Sequence, residues 1–471
     1  MKKFDLLSDK AECFVSPVEV NRILDVAELR CEDASYVREI LAKARAMNGL
    51  TAEETAVLLL NNDALITAQI FQLAQEIKNA YYGNRIVFFA PLYLSNYCTN
   101  GCTYCPYHAG SGMERKRMEK EQIIAEVTAL LDMGHKRLAI EAGEHPVMNP
   151  LKYILDSIAT IYSVRHKSGR IRRVNVNIAA TTEENYKLLL DAEIGTYILF
   201  QETYNKTDYE KLHPWGPKSD YAYHTEAMDR AMSAGIQDVG LGVLFGLHNY
   251  KYELVALLLH AEHLEKKYGA GPHTISVPRL RPADGINVAQ FKNALADDIF
   301  LKIVALLRIA VPYTGLIMST RESEEIRGKA LHLGISQISG GSKTSVGGYA
   351  AENETKSDTA QFELADNRSL DEIIHWLITL GYIPSFCTAC YGKGRQGREF
   401  MDICKQKQIH NLCTPNALLT LHEYLHNYAS KDTRYIGSML FNSEFMKLPD
   451  TLKKLVIERL KDAEKGNVKF F

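Results

Sequence analysis

The sequence predicts an α/β chain built on a (βα)8 TIM barrel, with an N-terminal helical extension and a C-terminal helical domain. Three observations lead there. Eight β-rich runs recur between residues 86 and 339: "IVFFAPLYL", "RLAIEAG", "RVNVNIA", "TYILFQE", "DVGLGVL", "HTISVP", "LIMST" and "ISQIS". Amphipathic helical stretches such as "EKEQIIAEVTALLDMG" and "TEENYKLLLDAEIG" lie between them, which implies parallel pairing. Eight is also the number that closes a (βα)8 barrel, whereas a doubly wound sheet is the alternative.

Residues 1–82 read as helical. In "DASYVREILAKARAMNGLTAEETAVLLL" apolar residues recur three and four apart, and Thr51 with Glu54 forms a capping box. The barrel is expected over 83–380. "RSLDEIIHWLITLGYIP" closes it and leads into a C-terminal unit, 381–471, carrying "ALLTLHEYLHNYA" and "DTLKKLVIERLKDAEK".

The chain of 471 residues is 46% hydrophobic and 24% charged with a formal net charge of −2, which gives no support to a nucleic-acid or membrane-surface role. The opening "MKKFDLLSDKAECF" has no apolar core of signal-peptide length, and no span reaches about 18 apolar residues. A cytoplasmic location is expected. There, nine cysteines point to metal or catalytic use rather than to disulfides. Cys13, Cys31 and Cys404 read as packed singletons, and the other six fall into two sets of three.

The first set, Cys98, Cys102 and Cys105 in "SNYCTNGCTYCPY", follows the first strand directly. That is the end of a barrel where chemistry is placed. Thiolates select zinc or iron–sulfur clusters, and structural zinc closes its shell with four protein ligands. No fourth ligand is local apart from His108. The C-x3-C-x2-C spacing, with Tyr104 before the third cysteine, resembles the radical-SAM enzymes. The resemblance implies a [4Fe–4S] cluster whose open iron chelates S-adenosylmethionine (SAM), and one-electron cleavage of SAM to a 5′-deoxyadenosyl radical. It also implies SAM-binding roles for Gly143 and Glu144 in "EAGE", for Glu202 in "QETY" and for Arg230 in "AMDRAM".

The second set, Cys387-x2-Cys390-x22-Cys413, again offers three thiolates, and on spacing alone His410 could complete a Cys3His zinc site. The stretches "GHKRLAIEAGE", "GTYILFQETY", "HPWGPKSDY", "GPHTISVPRLRPA" and "GGSKTSVGGY" resemble the aromatic-amino-acid lyase branch of radical-SAM enzymes. The second cysteine motif is similar to that of its tyrosine-lyase family of [FeFe]-hydrogenase maturases. This resemblance implies that L-tyrosine is cleaved at Cα–Cβ to p-cresol and dehydroglycine. The latter would become CO and cyanide on an auxiliary [4Fe–4S] cluster with an additional iron, of [5Fe–5S] type. The implied partners are a reductant such as ferredoxin or flavodoxin and other hydrogenase maturation proteins.

His273 opens the sixth strand, at the barrel's bottom rim, and the resemblance makes it a ligand of the extra iron. The bore would then connect the two sites. Arg321, ending "MSTR", is placed to hold the substrate carboxylate, with Arg279 as a second candidate for that task or for SAM. Pro106 and Lys343 depart from the family pattern. An aromatic lyase that stops at dehydroglycine is the alternative within the class, and a non-catalytic iron–sulfur carrier with a zinc second site is the alternative outside it.

Overall fold

The computed structural model describes residues 3–167, 169–351, 359–392, 395–406 and 409–471, and the side chains of 391, 392 and 409–411 lie outside the description. Eight parallel strands close on themselves: β1 (Arg85–Ser95), β2 (Arg137–Ala142), β3 (Arg173–Asn177), β4 (Tyr197–Ile198), β5 (Val239–Gly242), β6 (Thr274–Ser276), β7 (Gly315–Met318) and β8 (Gln337–Ser339). Sequence neighbours pair throughout, and β1 joins β8 on one side and β2 on the other. All eight expected strands are present, and the doubly wound alternative is excluded by this closure.

Closure is built into the side chains. Along β1, Phe89, Pro91 and Tyr93 line the bore, while Ile86, Phe88, Ala90, Leu92 and Leu94 are fully buried on the other face. Helices such as Lys120–Met133, Leu151–Ser163, Tyr250–Tyr268 and Asp297–Ala310 cover that outer face. Two-sided burial explains why the strands read as apolar runs rather than as alternation.

Helices Pro17–Arg30, Ala34–Arg45, Ala52–Leu60 and Ala64–Tyr82 form the extension, and the last packs against Asp297–Ala310. The Thr51–Glu54 capping box is formed, with the Glu54 amide donating to Thr51 Oγ1 at 3.2 Å and the Thr51 amide to Glu54 Oε2 at 2.9 Å.

A ninth strand, β9 (Ile383–Ser385), was not foreseen. It pairs parallel with the first residues of β1, Arg85↔Ile383 to Val87↔Ser385, below the stretch that β2 occupies. Three residues containing a proline carry little strand signal, and Pro384 is tolerated because β9 is an edge strand. This strand hands the chain directly to the second cysteine set beneath the barrel. Helices Gly397–Lys405, Ile409–Asn427, Lys431–Met446 and Asp450–Glu464 follow. No helix among the described residues is long and apolar enough to cross a membrane.

Candidate active site

Beyond Ser95 the chain turns over the carboxyl ends of the strands, and local contacts fix its course. The Thr99 amide and hydroxyl both donate to the Glu144 carbonyl, at 2.8 and 3.0 Å, and Asn100 Nδ2 donates to Glu144 Oε2 at 2.7 Å. The Gly101 amide donates to the Trp215 carbonyl, and a Cβ at Gly101 would sit 2.4 Å from the Trp215 ring. Gly143 likewise leaves no room: a Cβ there would meet the Tyr97 carbonyl at 2.4 Å and Cys98 Cβ at 3.1 Å. Glycine at 143 is therefore required for β2 to end against the cysteine loop.

The loop covers a cavity of about 240 Å³ that runs into the bore. Its walls bring together Cys98, Cys102, Cys105, Tyr104, Gly143, Glu144, Glu202 and Arg321, eight residues singled out from sequence. Burial pushes the Cys102 thiol up strongly and Cys105 up to about 11. Lys218 opposes both shifts, and it donates to Glu202 Oε1 at 2.8 Å. Burial raises the Glu144 carboxyl, with the Asn100 hydrogen bond and the Lys218 charge opposing. Glu202 has a φ of +68°, a left-handed conformation that turns the chain at the end of β4 and is uncommon for a residue other than glycine.

Arg321 stacks its guanidinium over Phe362 at 3.4 Å and makes no ion pair among the described residues. Its planar face is held while its edges stay available. Nearby, burial raises the Glu141 carboxyl to about 8, with the Arg321 charge and an Asn177 hydrogen bond opposing.

Two of the expected residues are elsewhere. Arg230 donates to the Thr181 carbonyl at 3.0 Å and the Tyr223 carbonyl at 2.5 Å and stacks on Tyr223, outside the cavity wall. Arg279 is gripped by Glu322, Asp297 and the Leu295 carbonyl, and its neighbour Arg281 lines the cavity instead. His108 turns its Nδ1 to the Cys105 carbonyl at 2.8 Å and does not line the cavity. Pro106 lies in the wall, whereas Lys343 is exposed outside it. Asn100, Lys218 and Glu141 were missed. Lys218 sits in the quoted stretch "HPWGPKSDY", but nothing in a lone lysine signals burial beside a carboxylate 16 residues away.

At the opposite end of the barrel, Cys387 follows β9 after Phe386, which stacks between Phe88 and Tyr424. Cys390 and Cys413 line a separate small cavity with Arg395, Phe400 and Asn416. These two thiols hydrogen-bond each other, which lowers Cys413 to about 6 and raises Cys390. His273 lies at this end, packed on Phe400 with ring centres 4.7 Å apart and facing Asp238 at 3.5 Å. Burial lowers its pKa, which favours the neutral ring. The two cavities share no wall residue. The Cys3His alternative turns on His410, whose side chain lies outside the described residues.

Neither cysteine set gathers as a compact single-ion site among the described residues. Three thiols and, among the described residues, no fourth protein donor, under a roomy cavity, suit a cluster held on three corners with one open iron. Such a loop at the carboxyl ends of a closed parallel barrel defines a radical SAM protein, and a model of the Radical SAM superfamily matches residues 92–260. A model of the Biotin and Thiamin Synthesis associated domain matches 276–383. The 2-iminoacetate synthase of Salmonella typhimurium is 30% identical over 343 residues, 72% of this chain and 88% of that protein.

The similarity narrows further. The crystal structure of HydG, a maturase of the [FeFe]-hydrogenase, superposes with a TM-score of 0.94 at 51% identity, covering 97% of this chain and 100% of that one. The HydG of Carboxydothermus hydrogenoformans superposes with a TM-score of 0.82 at 38% identity, covering 95% and 99%. The chain belongs to the HydG family of radical SAM proteins. Membership carries with it a [4Fe–4S] cluster and SAM, and the donor set above suits both.

Proposed function

We propose that the chain is a radical-SAM lyase that cleaves the Cα–Cβ bond of L-tyrosine to p-cresol and dehydroglycine. The dehydroglycine is then converted to CO and cyanide at the second iron–sulfur site, for assembly of the [FeFe]-hydrogenase cofactor. When bound, the first cluster and SAM supply a 5′-deoxyadenosyl radical, and the second cluster with its extra iron supplies the receiving site for CO and cyanide. Cys98, Cys102 and Cys105 hold the first cluster. Glu144, Glu202 and Lys218 present paired polar groups to SAM at the cavity wall. Arg321, fixed in its plane by Phe362, takes the tyrosine carboxylate on its edge. Glu141, largely neutral at pH 7, places a hydrogen-bonding carboxyl near Arg321 without competing for its charge. Cys387, Cys390 and Cys413 hold the second cluster, and His273 is the candidate ligand of the extra iron.

The observation that carries this reading is the placement of two open three-cysteine sets on one barrel. One sits at the carboxyl ends of the strands, and the other lies beneath their amino ends. Anaerobic turnover with tyrosine, SAM and dithionite tests it. The expected products are p-cresol, CO and cyanide. p-Cresol without CO would overturn the maturase assignment and leave a lyase that stops at dehydroglycine.

A further inference from the structure

Three strands begin with an arginine, and two of these arginines are left without a use by the reaction described above. Arg85 and Arg137, the first residues of β1 and β2, are 6% and 4% exposed. Their odd-numbered positions share the inward face with the bore residues Phe89 and Tyr93 and with Ala139 and Glu141. Both therefore project into the base of the barrel. In each, Nε and Nη2 have no hydrogen-bond partner among the described residues. Two buried guanidinium groups with four unsatisfied nitrogens make a costly arrangement unless an anion meets them.

The surroundings identify that anion. Arg85 interacts by charge with Cys387, Cys404 and Cys413 and makes a side-chain hydrogen bond to Cys413. Arg137 interacts with Cys387 and with His273. Asp238 is the nearby carboxylate: its Oδ1 accepts from the Gly397 amide at 3.0 Å and faces His273, and its buried Oδ2 reaches neither arginine's Nε or Nη2, all of which lack a partner among the described residues. The unsatisfied donors thus converge where the second thiol set lies.

We infer that Arg85 and Arg137 are positioning residues of the second iron–sulfur site. Their free N–H groups donate to the cluster's sulfides and cysteinyl sulfurs, and their charges offset the cluster's negative charge. The inference rests on the reading of Cys387, Cys390 and Cys413 as iron–sulfur ligands, and it deepens that reading. A lone zinc ion brings no inorganic sulfide for these donors. Hydrogen bonds to cluster sulfurs raise the reduction potential and slow the loss of iron.

The test uses the full chain with Cys98, Cys102 and Cys105 changed to alanine, so that only the second site loads. Iron and sulfide content, the EPR-monitored midpoint potential and iron loss to a chelator are measured for this parent, and then for Arg85→Gln, Arg137→Gln and Arg85→Lys. Each glutamine variant is expected to shift the potential negative and to lose iron roughly tenfold faster, in line with loss of a charged hydrogen bond. Arg85→Lys should fall between. Thermal unfolding separates this role from general support of the barrel. Without cluster, the glutamine variants should be at least as stable as the parent, because buried guanidinium nitrogens without partners are gone. With cluster, they should be less stable.

Unchanged potential and unchanged iron loss in both glutamine variants would overturn the inference while leaving the cluster assignment intact. Lower stability of the cluster-free variants, with the potential unmoved, would do the same. A parent that takes up zinc and no sulfide would overturn the cluster reading itself.

Discussion

Replacing Arg321 by methionine keeps the length and apolar stem of the side chain and removes the guanidinium. In the structure that group stacks its face on Phe362, and its edges make no ion pair among the described residues. The substitution breaks no ion pair among the described residues and takes only a through-space charge from Glu141 and Glu202, so the loss falls on the ligand. A charged, bidentate carboxylate contact in a partly enclosed cavity contributes about 2–3 kcal/mol. At 1.4 kcal/mol per decade this raises the tyrosine KM roughly 30- to 150-fold. The contact is present before and during the reaction, so kcat should move by no more than a few-fold. The assay is p-cresol formation under anaerobic saturating SAM, with tyramine, which lacks the carboxylate, as the comparison substrate. Wild type should discriminate strongly between the two, and Arg321→Met should not. Arg321→Lys, with charge but no fork, should fall between. An unchanged tyrosine KM, or an equal loss for tyramine, would refute the role given to Arg321.

Three further outcomes follow from particular contacts. Gly143→Ala drives a Cβ to 2.4 Å from the Tyr97 carbonyl and 3.1 Å from Cys98 Cβ, so it should cut iron loading at the first site and spare the second, read as iron per chain. The Glu141 carboxyl titrates at about 8 when folded against 4.5 ordinarily, so its contribution is whole below pH 4.5 and lost as pH rises toward 8. Glu141→Gln, which imitates the protonated form, should match the wild-type Tm near about pH 5 and exceed it near about pH 8.5. Cys404 is 1% exposed, and Cys404→Ala should leave the iron content of both sites unchanged. Loss of second-site iron would instead make this thiol a ligand.

The barrel was legible because its strands are buried on both faces and its helices on one, so each left a distinct period. β9 was not, since three residues around a proline resemble loop and acquire strand identity only by pairing with Arg85–Val87. The cysteine sets were legible because their chemistry depends on spacing within the chain. Arg321 was singled out from its place past a strand end, and it lines the cavity. Arg279 was expected on the same grounds and Arg230 from the family resemblance, yet both are held by neighbours, Arg230 by carbonyls and Arg279 by Glu322 and Asp297. Which arginine keeps its edge free depends on contacts from distant segments, and one sequence does not carry those. Lys218 was hidden for the same reason: its partner, Glu202, lies across a turn and on another element.

The division of labour between the two ends of the barrel is tested most directly by Cys387→Ser. Reconstituted with iron and sulfide and turned over anaerobically with tyrosine, SAM and dithionite, this variant should still release p-cresol at close to the wild-type rate while CO falls to background. Loss of both products would mean that the second site is structural support for the first, and CO undiminished beside p-cresol would mean that the second site takes no part in the chemistry.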